Sequence, residues 1–305
     1  MRREVAVALV QTSVSALLWG TSFPVISVAL KGGLDPSVFV FLRFAVAAPL
    51  MLALAILLRR NVTVLLRSRG VWVLAFLNAV GFLCQFIGQK YTEASVAALL
   101  VNLSVVLAAA GGVVFLREKL NSMKVAGVVI AFVGTALIAT NGDFTALTGG
   151  NLLGDLLYLV AALVWAGYIV YAKKKTEEWK WDPLAVASCI VAVTAVFVLP
   201  AALIAHLPFS SISALSWEAI AYTAVFNTAI PFVLYQAGLR QLTASLSAVV
   251  LLLEIVVAIL ISVLFLGETF TVLSALGAVA VLASILLVSG MEVRGKSLSV
   301  GERSV

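Results

Sequence analysis

The sequence predicts an all-α integral membrane protein with ten transmembrane helices, arranged as two inverted five-helix repeats. Three observations lead to this prediction: an extreme hydrophobic content, ten long apolar runs and an internal repeat. Of the 305 residues, 63% are hydrophobic and only 11% are charged, whereas an average soluble domain has about 25% charged residues. A soluble protein of this length could not bury so much apolar surface. The runs also exceed the ~10-residue alternating segments of outer-membrane barrels.

Charged residues, glycines and prolines divide the chain into ten apolar spans, each about long enough to cross a bilayer as a helix. We predict these spans, numbered 1 to 10 in chain order, at residues 5–30, 36–58, 71–89, 94–116, 123–141, 151–172, 183–206, 216–239, 243–266 and 270–290. Span 1 follows Met1-Arg2-Arg3 as a signal sequence would, but it lacks a clear small-residue cleavage site, so we expect it to be retained. An interfacial segment near His206-Leu207-Pro208 that precedes span 8 is left open as an alternative.

The internal repeat relates residues about 150 positions apart. Thirteen residues between Ala244 and Leu287 are identical, without a gap, to those 150 positions earlier. Asp182-Pro183 likewise matches Asp35-Pro36 at an offset of 147, and Trp165 matches Trp19 at 146. We therefore predict a first repeat at 1–145, a second at 146–290 and a cytoplasmic tail at 291–305. Because each repeat has five spans, the second enters the membrane from the opposite side.

Lysine and arginine residues are distributed unequally between the two membrane sides. With ten spans both termini share one side, and that side carries 17 of the 20 basic residues. Lys31 and Lys90 fall on the other side, and Arg43 lies within span 2. The positive-inside rule therefore predicts cytoplasmic termini in a plasma or inner membrane. The net charge of +6 then reflects topology and not nucleic-acid binding, while contact with anionic lipid headgroups stays open.

Other sites are not indicated by the sequence. Cys84 and Cys189 lie within apolar runs, where we expect inert packing. His206 has no neighbouring ligands that would make a metal site. The sequence has no Walker loop, no glycine-rich nucleotide fingerprint and no plausible Ser/His/Asp set. We therefore expect no enzymatic activity, no cofactor and no metal.

Several short motifs recur in a known family. They are Leu18-Trp19-Gly20 with Ser22-Phe23, then Phe41-Leu42-Arg43-Phe44, and Ala94-Ser95 with Glu118, repeated as Ala244-Ser245 with Glu268. Over residues 5–290 the chain resembles the ten-helix EamA-type permeases of the drug/metabolite transporter superfamily. The resemblance implies export or exchange of amino acids or other small metabolites through a cavity between two inverted halves. Members usually carry a proline just after the Glu254 position and its counterpart, where this chain has Ile255 and Val105, so the residue that would kink spans 4 and 9 is missing.

Glu254 is the foremost candidate for function. It lies about 11 residues into span 9, roughly 16 Å along a helix and close to the midplane of a ~30 Å hydrocarbon core. Desolvation disfavours an unpaired carboxylate there, which makes Glu254 a candidate for proton coupling or for recognition of a substrate amine. The alternative is a neutral glutamate that hydrogen-bonds a neighbouring helix. Ser104 occupies the equivalent position in the first repeat.

Arg43 and two tryptophans are further candidates. Arg43 lies about seven residues from the external end of span 2, where it could clamp a substrate carboxylate, snorkel to the headgroups or form a structural ion pair. Trp19 and Trp165 are repeat-equivalent and near mid-span. They could wall a cavity and stack on an aromatic or cationic substrate, or simply pack.

Polar residues on other spans complete the predicted site. Asn78 and Gln85 lie two helical turns apart and face the same way. The full set is Ser22, Asn78, Gln85, Asn102, Tyr168, Asn227, Tyr235 and Gln236, for which interhelical hydrogen bonding is the alternative. We expect Pro24, Pro49 and Pro231 to kink their spans. We expect Glu118 and Glu268 to favour the positive end of the helix that follows each of them.

Together these features predict a secondary transporter that alternates access around a midplane cavity. Its partners would be a small-molecule substrate and membrane lipids, with proton coupling through Glu254 as an open question. A cavity between fused halves needs no second chain, so we expect a monomer. The alternatives are an uncoupled facilitator or channel, and a receptor or scaffold that does not transport.

Overall fold

The computed structural model describes residues 2–92, 94–119, 121–140, 151–178, 181–206, 212–266 and 271–301. The regular secondary structure of these residues is entirely helical. Within these residues, ten helical stretches are long and apolar enough to cross a membrane: Arg3–Ile26, Pro36–Leu57, Arg69–Gly88, Val96–Leu116, Ser122–Thr140, Leu152–Glu178, Pro183–Ile204, Ala214–Leu239, Ala244–Phe265 and Val272–Glu292. An all-helical membrane protein with ten spans is therefore confirmed.

Several helices differ in length or continuity from the prediction. Span 1 consists of Arg2–Gly20 and Ser22–Lys31, span 8 of Ala214–Ala224, a π-helical turn at Val225–Ala229 and Ile230–Leu239, and span 9 of Ala244–Leu251 and Leu253–Leu266. A short helix that we did not predict, Val62–Leu66, connects spans 2 and 3, and it buries Val62 and Leu65. The last helix continues from Val272 to Gly301, past the predicted end of span 10.

The repeated Asp-Pro pairs begin spans 2 and 7. The Asp35 carboxylate accepts from Ser37 N at 2.8 Å, and that of Asp182 accepts from Leu184 N at 3.1 Å. Each proline stands where a helix has no use for an N–H donor. Burial acts to raise the pKa of the Asp35 carboxyl group, but hydrogen bonds from Lys90 and Ser37 together hold this pKa below its ordinary value.

The main contacts between spans form a pattern that stays the same when the two halves are exchanged. Span 5 packs along span 10, span 2 along span 7, and span 4 against span 9. Span 3 packs on span 6 as span 8 packs on span 1, and span 4 packs on span 6 as span 9 packs on span 1. Each of these contacts maps onto itself or onto another of them when spans 1–5 are exchanged with spans 6–10. This is the pattern expected of two halves related by a two-fold axis.

Span 9 is broken although it lacks the proline that members of the resembling family carry there. Span 9 is interrupted at Leu252, whose N–H bonds Val249 O at 3.2 Å while Ile255 N–H bonds Leu252 O at 3.1 Å. These bonds have the three-residue spacing of a tightened turn. The equivalent span 4 is one continuous helix, Ala94–Leu116. The missing proline therefore leaves span 4 unbroken but does not prevent a break in span 9.

The prolines within spans have different settings. Pro24 lies in the first turn of Ser22–Lys31, and Pro231 near the start of Ile230–Leu239, where a missing N–H costs little. Both coincide with a break or π-helical turn just before them. Pro49 lies inside the continuous helix Pro36–Leu57, so this proline does not break span 2.

The expected role of Glu118 at the following helix was wrong. Its carboxylate instead contacts the first residues of span 9, accepting from Ala244 N at 2.6 Å and from Ser245 Oγ at 2.6 Å. The physical reason is the preceding residue, Arg117, whose left-handed φ of 56° turns the chain back. The Glu118 N–H then bonds Gly112 O at 3.0 Å. Glu268 lies outside the described residues.

Candidate functional site

A cavity of about 130 Å³ lies where spans of the two halves meet. Spans 1, 2, 3, 4, 6, 8 and 9 line it; of the described residues, none from spans 5, 7 and 10 does. Ten of the twelve predicted site residues line this cavity: Trp19, Ser22, Arg43, Asn78, Gln85, Asn102, Trp165, Tyr168, Tyr235 and Glu254. It extends toward the ends of spans 1 and 3 that carry Ile26 and Gln89, and Gln89 is exposed.

Glu254 lies in the first turn of the helix that restarts after the break in span 9. The positive end of a helix favours a negative charge. Within the described part of the chain, no hydrogen-bond donor contacts its carboxylate, so the structure does not show the interhelical bond that was the alternative for this residue. Span 1 crosses span 9 closely here, because a Cβ at Gly20 would lie 2.5 Å from Glu254 O and 2.7 Å from Val257 Cβ.

Arg43 is anchored deep between spans 2, 3 and 8. Only 1% of it is exposed, which excludes snorkelling. Its Nε donates to Thr228 Oγ1 at 2.6 Å, and its Nη2 donates to Asn227 O at 2.5 Å. The guanidinium carbon lies 5.0 Å from the centre of the Phe82 ring, in the range of a cation–π contact. Two of its five N–H groups are used by span 8, and the side chain lines the cavity.

Arg43 and Glu254 carry opposite charges toward the same cavity. Among the described residues there is no direct salt bridge between them. The structural ion pair that was one alternative for Arg43 is therefore not formed with Glu254, and the two side chains line the cavity from different helices. Such an arrangement can hold a solute that carries both charges.

Two pairs of aromatic rings wall the cavity in a repeated geometry. The ring centres of Trp19 and Phe232 are 5.6 Å apart at 83°, and those of Trp165 and Phe82 are 5.0 Å apart at 90°. Each pair joins one half to the other. Trp19 Nε1 donates to Asn227 O at 2.9 Å, and Trp165 Nε1 donates to Gln85 Oε1 at 3.0 Å. Because both indole N–H groups are engaged, the rings contribute apolar surface.

Two polar atoms of cavity residues have no hydrogen-bond partner. Asn78 donates to Thr194 Oγ1 at 3.1 Å, but its Oδ1 accepts from no described group, and the Tyr235 hydroxyl, which faces the Ser247 hydroxyl, has no partner within 3.5 Å among the described residues. A buried unpartnered polar group costs about 1–3 kcal/mol, so both atoms favour a bound water or solute. Ser22 and Asn102 instead donate to carbonyls of their own spans, Trp19 O and Ala98 O.

Asn227 and Gln236 do not line the cavity, contrary to the prediction. Asn227 lies in the π-helical turn and donates to Thr21 Oγ1 at 2.9 Å and to Leu18 O, while its own carbonyl holds Trp19 and Arg43. Gln236 donates to the Tyr168 hydroxyl at 3.1 Å. Both therefore position lining residues from behind them. The Asn227 carbonyl has no partner four residues on, because residue 231 is proline and lacks an N–H, so this carbonyl can accept from Trp19 and Arg43.

The sequence prediction missed several lining residues, notably the aromatic ones. Phe82, Phe86 and Gln89 lie on the cavity face of span 3 with Asn78 and Gln85. Their helical spacing was a readable signal, but apart from two tryptophans only polar residues had been sought, and Gln89 was overlooked at the end of span 3. Phe232 is the repeat equivalent of Phe82, so the duplication also indicated it. Thr228, which accepts a hydrogen bond from Arg43, was also missed.

Comparisons with known proteins show which family has a similar sequence. The EamA-like transporter family profile matches residues 7–140 and again residues 152–290. An uncharacterized transporter of Archaeoglobus fulgidus is 27% identical over 288 residues, which cover 92% of this chain and 96% of the relative. The uncharacterized transporter YyaM of Bacillus subtilis is 28% identical over 266 residues, covering 85% and 86%.

A solved structure shares the fold. Its chain matches this one with a TM-score of 0.78 at 19% identity, over 94% of this chain and 98% of the other. The transporter relatives and the ten apolar helices identify a multi-pass membrane transporter. Because the family profile matches nearly the whole sequence in two copies, the chain belongs to the EamA-like transporter family.

Proposed function

We propose that this chain is a secondary transporter of the plasma or inner membrane, with both termini in the cytoplasm, that exports or exchanges a small metabolite by alternating access. The observation that carries the proposal is the cavity between the halves, which brings Arg43 and Glu254 together among aromatic side chains. Ionisable residues within spans are costly and usually mark a substrate or ion pathway.

The size and chemistry of the cavity favour a small zwitterion such as an amino acid. A protein cavity of ~150 Å³ holds a molecule the size of benzene, and drug-sized ligands need about 300–1,000 Å³. The volume of about 130 Å³ therefore favours a small solute. Arg43 suits a carboxylate and Glu254 suits an amine. The rings of Trp19 and Trp165 offer apolar surface for a side chain.

The exchange pattern of the contacts supports an inverted duplication. Five spans per repeat reverse the direction in which the second repeat enters the membrane. Rocking one half against the other around the cavity would then open it to each side in turn. A solute held by residues of both halves experiences this motion directly, because its contacts come from spans that move apart.

Glu254 is the proposed coupling residue. Its carboxylate faces the cavity without a described hydrogen-bond partner, so a proton and a substrate amine reach the same group. Protonation removes the charge that attracts the amine, so the two ligands compete. By linkage, each weakens the binding of the other by the same factor. Such competition is what an antiporter requires.

The test is uptake of a labelled amino-acid mixture into proteoliposomes, with and without an imposed pH gradient. Saturable uptake with counterflow identifies a carrier, and flux that does not saturate identifies a channel. Glu254→Gln should abolish accumulation driven by the gradient while leaving passive exchange. Glu218→Gln, at an exposed carboxylate on span 8, is the matched control. An unchanged gradient response in Glu254→Gln would contradict the coupling role, and no flux of any solute would favour a receptor or scaffold.

A further inference from the structure

We propose that Glu118 locks the closed end of the cavity by joining the end of span 4 to the beginning of span 9. The contact of Glu118 with Ala244 and Ser245 is here named the Glu118 clasp. This inference rests on the proposed alternating-access function, in which the two halves must separate at that end. It assigns to one carboxylate the control of which side of the cavity is open.

The Glu118 carboxylate binds three donors on span 9. Its Oε1 accepts from Ala244 N at 2.6 Å, and its Oε2 accepts from Ser245 Oγ at 2.6 Å and from Ser245 N at 3.3 Å. The helix begins at Ala244, so the carboxylate lies at its positive end. Hydrogen bonds between a charged acceptor and backbone N–H groups are among the stronger ones. The clasp links the two halves across 126 positions of sequence.

The backbone around Glu118 is arranged for this contact. Arg117 has a left-handed φ of 56°, which returns the chain over the last turns of span 4. A Cβ at Gly112 would lie 2.8 Å from Glu118 Oε2 and 3.3 Å from Ser245 Oγ. A larger side chain at this position would therefore displace the carboxylate from span 9. The Glu118 carboxylate thus occupies the space that a side chain at position 112 of span 4 would fill.

The clasp lies at the end where the cavity is closed. Both spans that it joins line the cavity, span 4 through Asn102 and Ser104 and span 9 from Ala248 onward. Between the clasp and Ala248, residues Leu246 and Ser247 are 0% exposed. At the opposite end, Gln89 is exposed. Opening the cavity toward the clasp end requires spans 4 and 9 to part, and the clasp holds them together.

Glu292 provides a matched control on the same helix end. It accepts from Thr243 N at 2.8 Å and from Thr243 Oγ1 at 2.6 Å, so it also caps the beginning of span 9. Glu292 belongs to span 10 and lies 3.7 Å from Lys124 of span 5. Of the described residues in spans 5 and 10, none lines the cavity. Glu292 therefore caps the helix without joining two cavity-lining spans.

The test measures the distance across the clasp by electron paramagnetic resonance, independently of transport. Spin labels are placed on the full chain at Lys119→Cys and Arg240→Cys, both exposed positions, after Cys84 and Cys189 are replaced by alanine. We expect Glu118→Gln to raise the fraction of long distances about tenfold, the effect of losing a charged helix cap. Ser245→Ala keeps both backbone donors and should give a smaller increase. Glu292→Gln should leave the distribution unchanged.

Each outcome decides the proposal. An unchanged distance distribution in Glu118→Gln, or an equal change in Glu292→Gln, overturns it, because either result reduces the clasp to an ordinary helix cap. If Glu118→Gln does not fold, Ser245→Ala alone must still lengthen the distance for the proposal to stand. A lengthened distance in a protein without uptake supports the clasp and contradicts the transport function. Uptake with unchanged distances contradicts the clasp alone.

Discussion

The two halves of the chain build similar walls around the cavity but place different chemistry in them. Trp19 with Phe232 and Trp165 with Phe82 form equivalent edge-to-face pairs, each across the boundary between the halves. The charged residues have no such equivalents. Ser104 stands at the position equivalent to Glu254 and also lines the cavity. The duplicated framework thus supplies the shape, and later divergence supplies the charges.

The comparison extends to the backbone around the charges. Ile190 is the counterpart of Arg43 at an offset of 147 and is fully buried in apolar surroundings. Span 9 is broken beside Glu254, whereas span 4 is continuous past Ser104. Gly20, which has no side chain and so allows span 9 to pack closely against span 1, has Ala166 as its counterpart. The charged residues, the helix break and the glycine therefore occur together in one half-site, which spans 1, 2 and 9 form. All three are absent from the equivalent half-site, which spans 6, 7 and 4 form.

The largest expected effect comes from making span 2 resemble span 7. Arg43→Ile removes two hydrogen bonds from a charged donor, to Thr228 Oγ1 and to Asn227 O, and each such bond contributes about 1.5–3 kcal/mol. We expect uptake to fall at least about a hundredfold, with a lower melting temperature. Arg43→Lys keeps the charge and serves as the control. Near-normal uptake by Arg43→Ile would show that the charge at this position is dispensable.

Moving the carboxylate to the equivalent half-site tests whether the two half-sites are interchangeable. In the double variant Ser104→Glu with Glu254→Ser, we expect uptake to remain about as low as in Glu254→Ser alone. Ser104 lies inside a continuous helix, so a carboxylate there lacks the positive helix end that Glu254 has. Initial uptake rates of the double and both single variants provide the measurement. Restored uptake in the double variant would mean that backbone asymmetry has no role.

Gly20 allows the close crossing of spans 1 and 9 at Glu254. We expect Gly20→Ala to destabilise the protein by about 1–3 kcal/mol, the usual cost of overpacking, and to raise the KM for uptake because the Glu254 backbone must shift. Ala166→Gly, the reverse change at the equivalent position, should cost only about 1 kcal/mol through helix propensity. Thermal unfolding and uptake kinetics separate the two. Equal KM values in these variants would contradict the positioning role of Gly20.

The smallest expected effects test the symmetry of the walls. Trp19→Phe and Trp165→Phe each remove one indole hydrogen bond, to Asn227 O and to Gln85 Oε1 respectively. We expect each to lower the free energy of unfolding by about 1 kcal/mol, with modest and similar changes in uptake. Chemical denaturation and uptake kinetics are the measurements. An inactive Trp19→Phe beside a fully active Trp165→Phe would show that the walls are functionally unequal.

Much of the site could be predicted because polar residues are rare in membrane spans, so each one stands out. This reasoning found Glu254, Arg43 and the tryptophans, but it missed Phe82 and Phe232, which resemble lipid-facing residues in composition. It also assigned Asn227 to the lining, although this residue holds Trp19 and Arg43 from behind. A hydrophobic pattern cannot separate these cases, since lipid and protein interior are both apolar.

The sequence by itself determined the ten spans, the duplication and the unequal charges of the two halves, because length, composition and repetition are properties of a linear chain. Only the tertiary structure decided which side chains share the cavity, where span 9 breaks, and that Glu118 reaches Ser245 in the other half. These features depend on how each helix is rotated about its axis and how closely it approaches its neighbours. In a membrane protein, packing and interhelical hydrogen bonds set both.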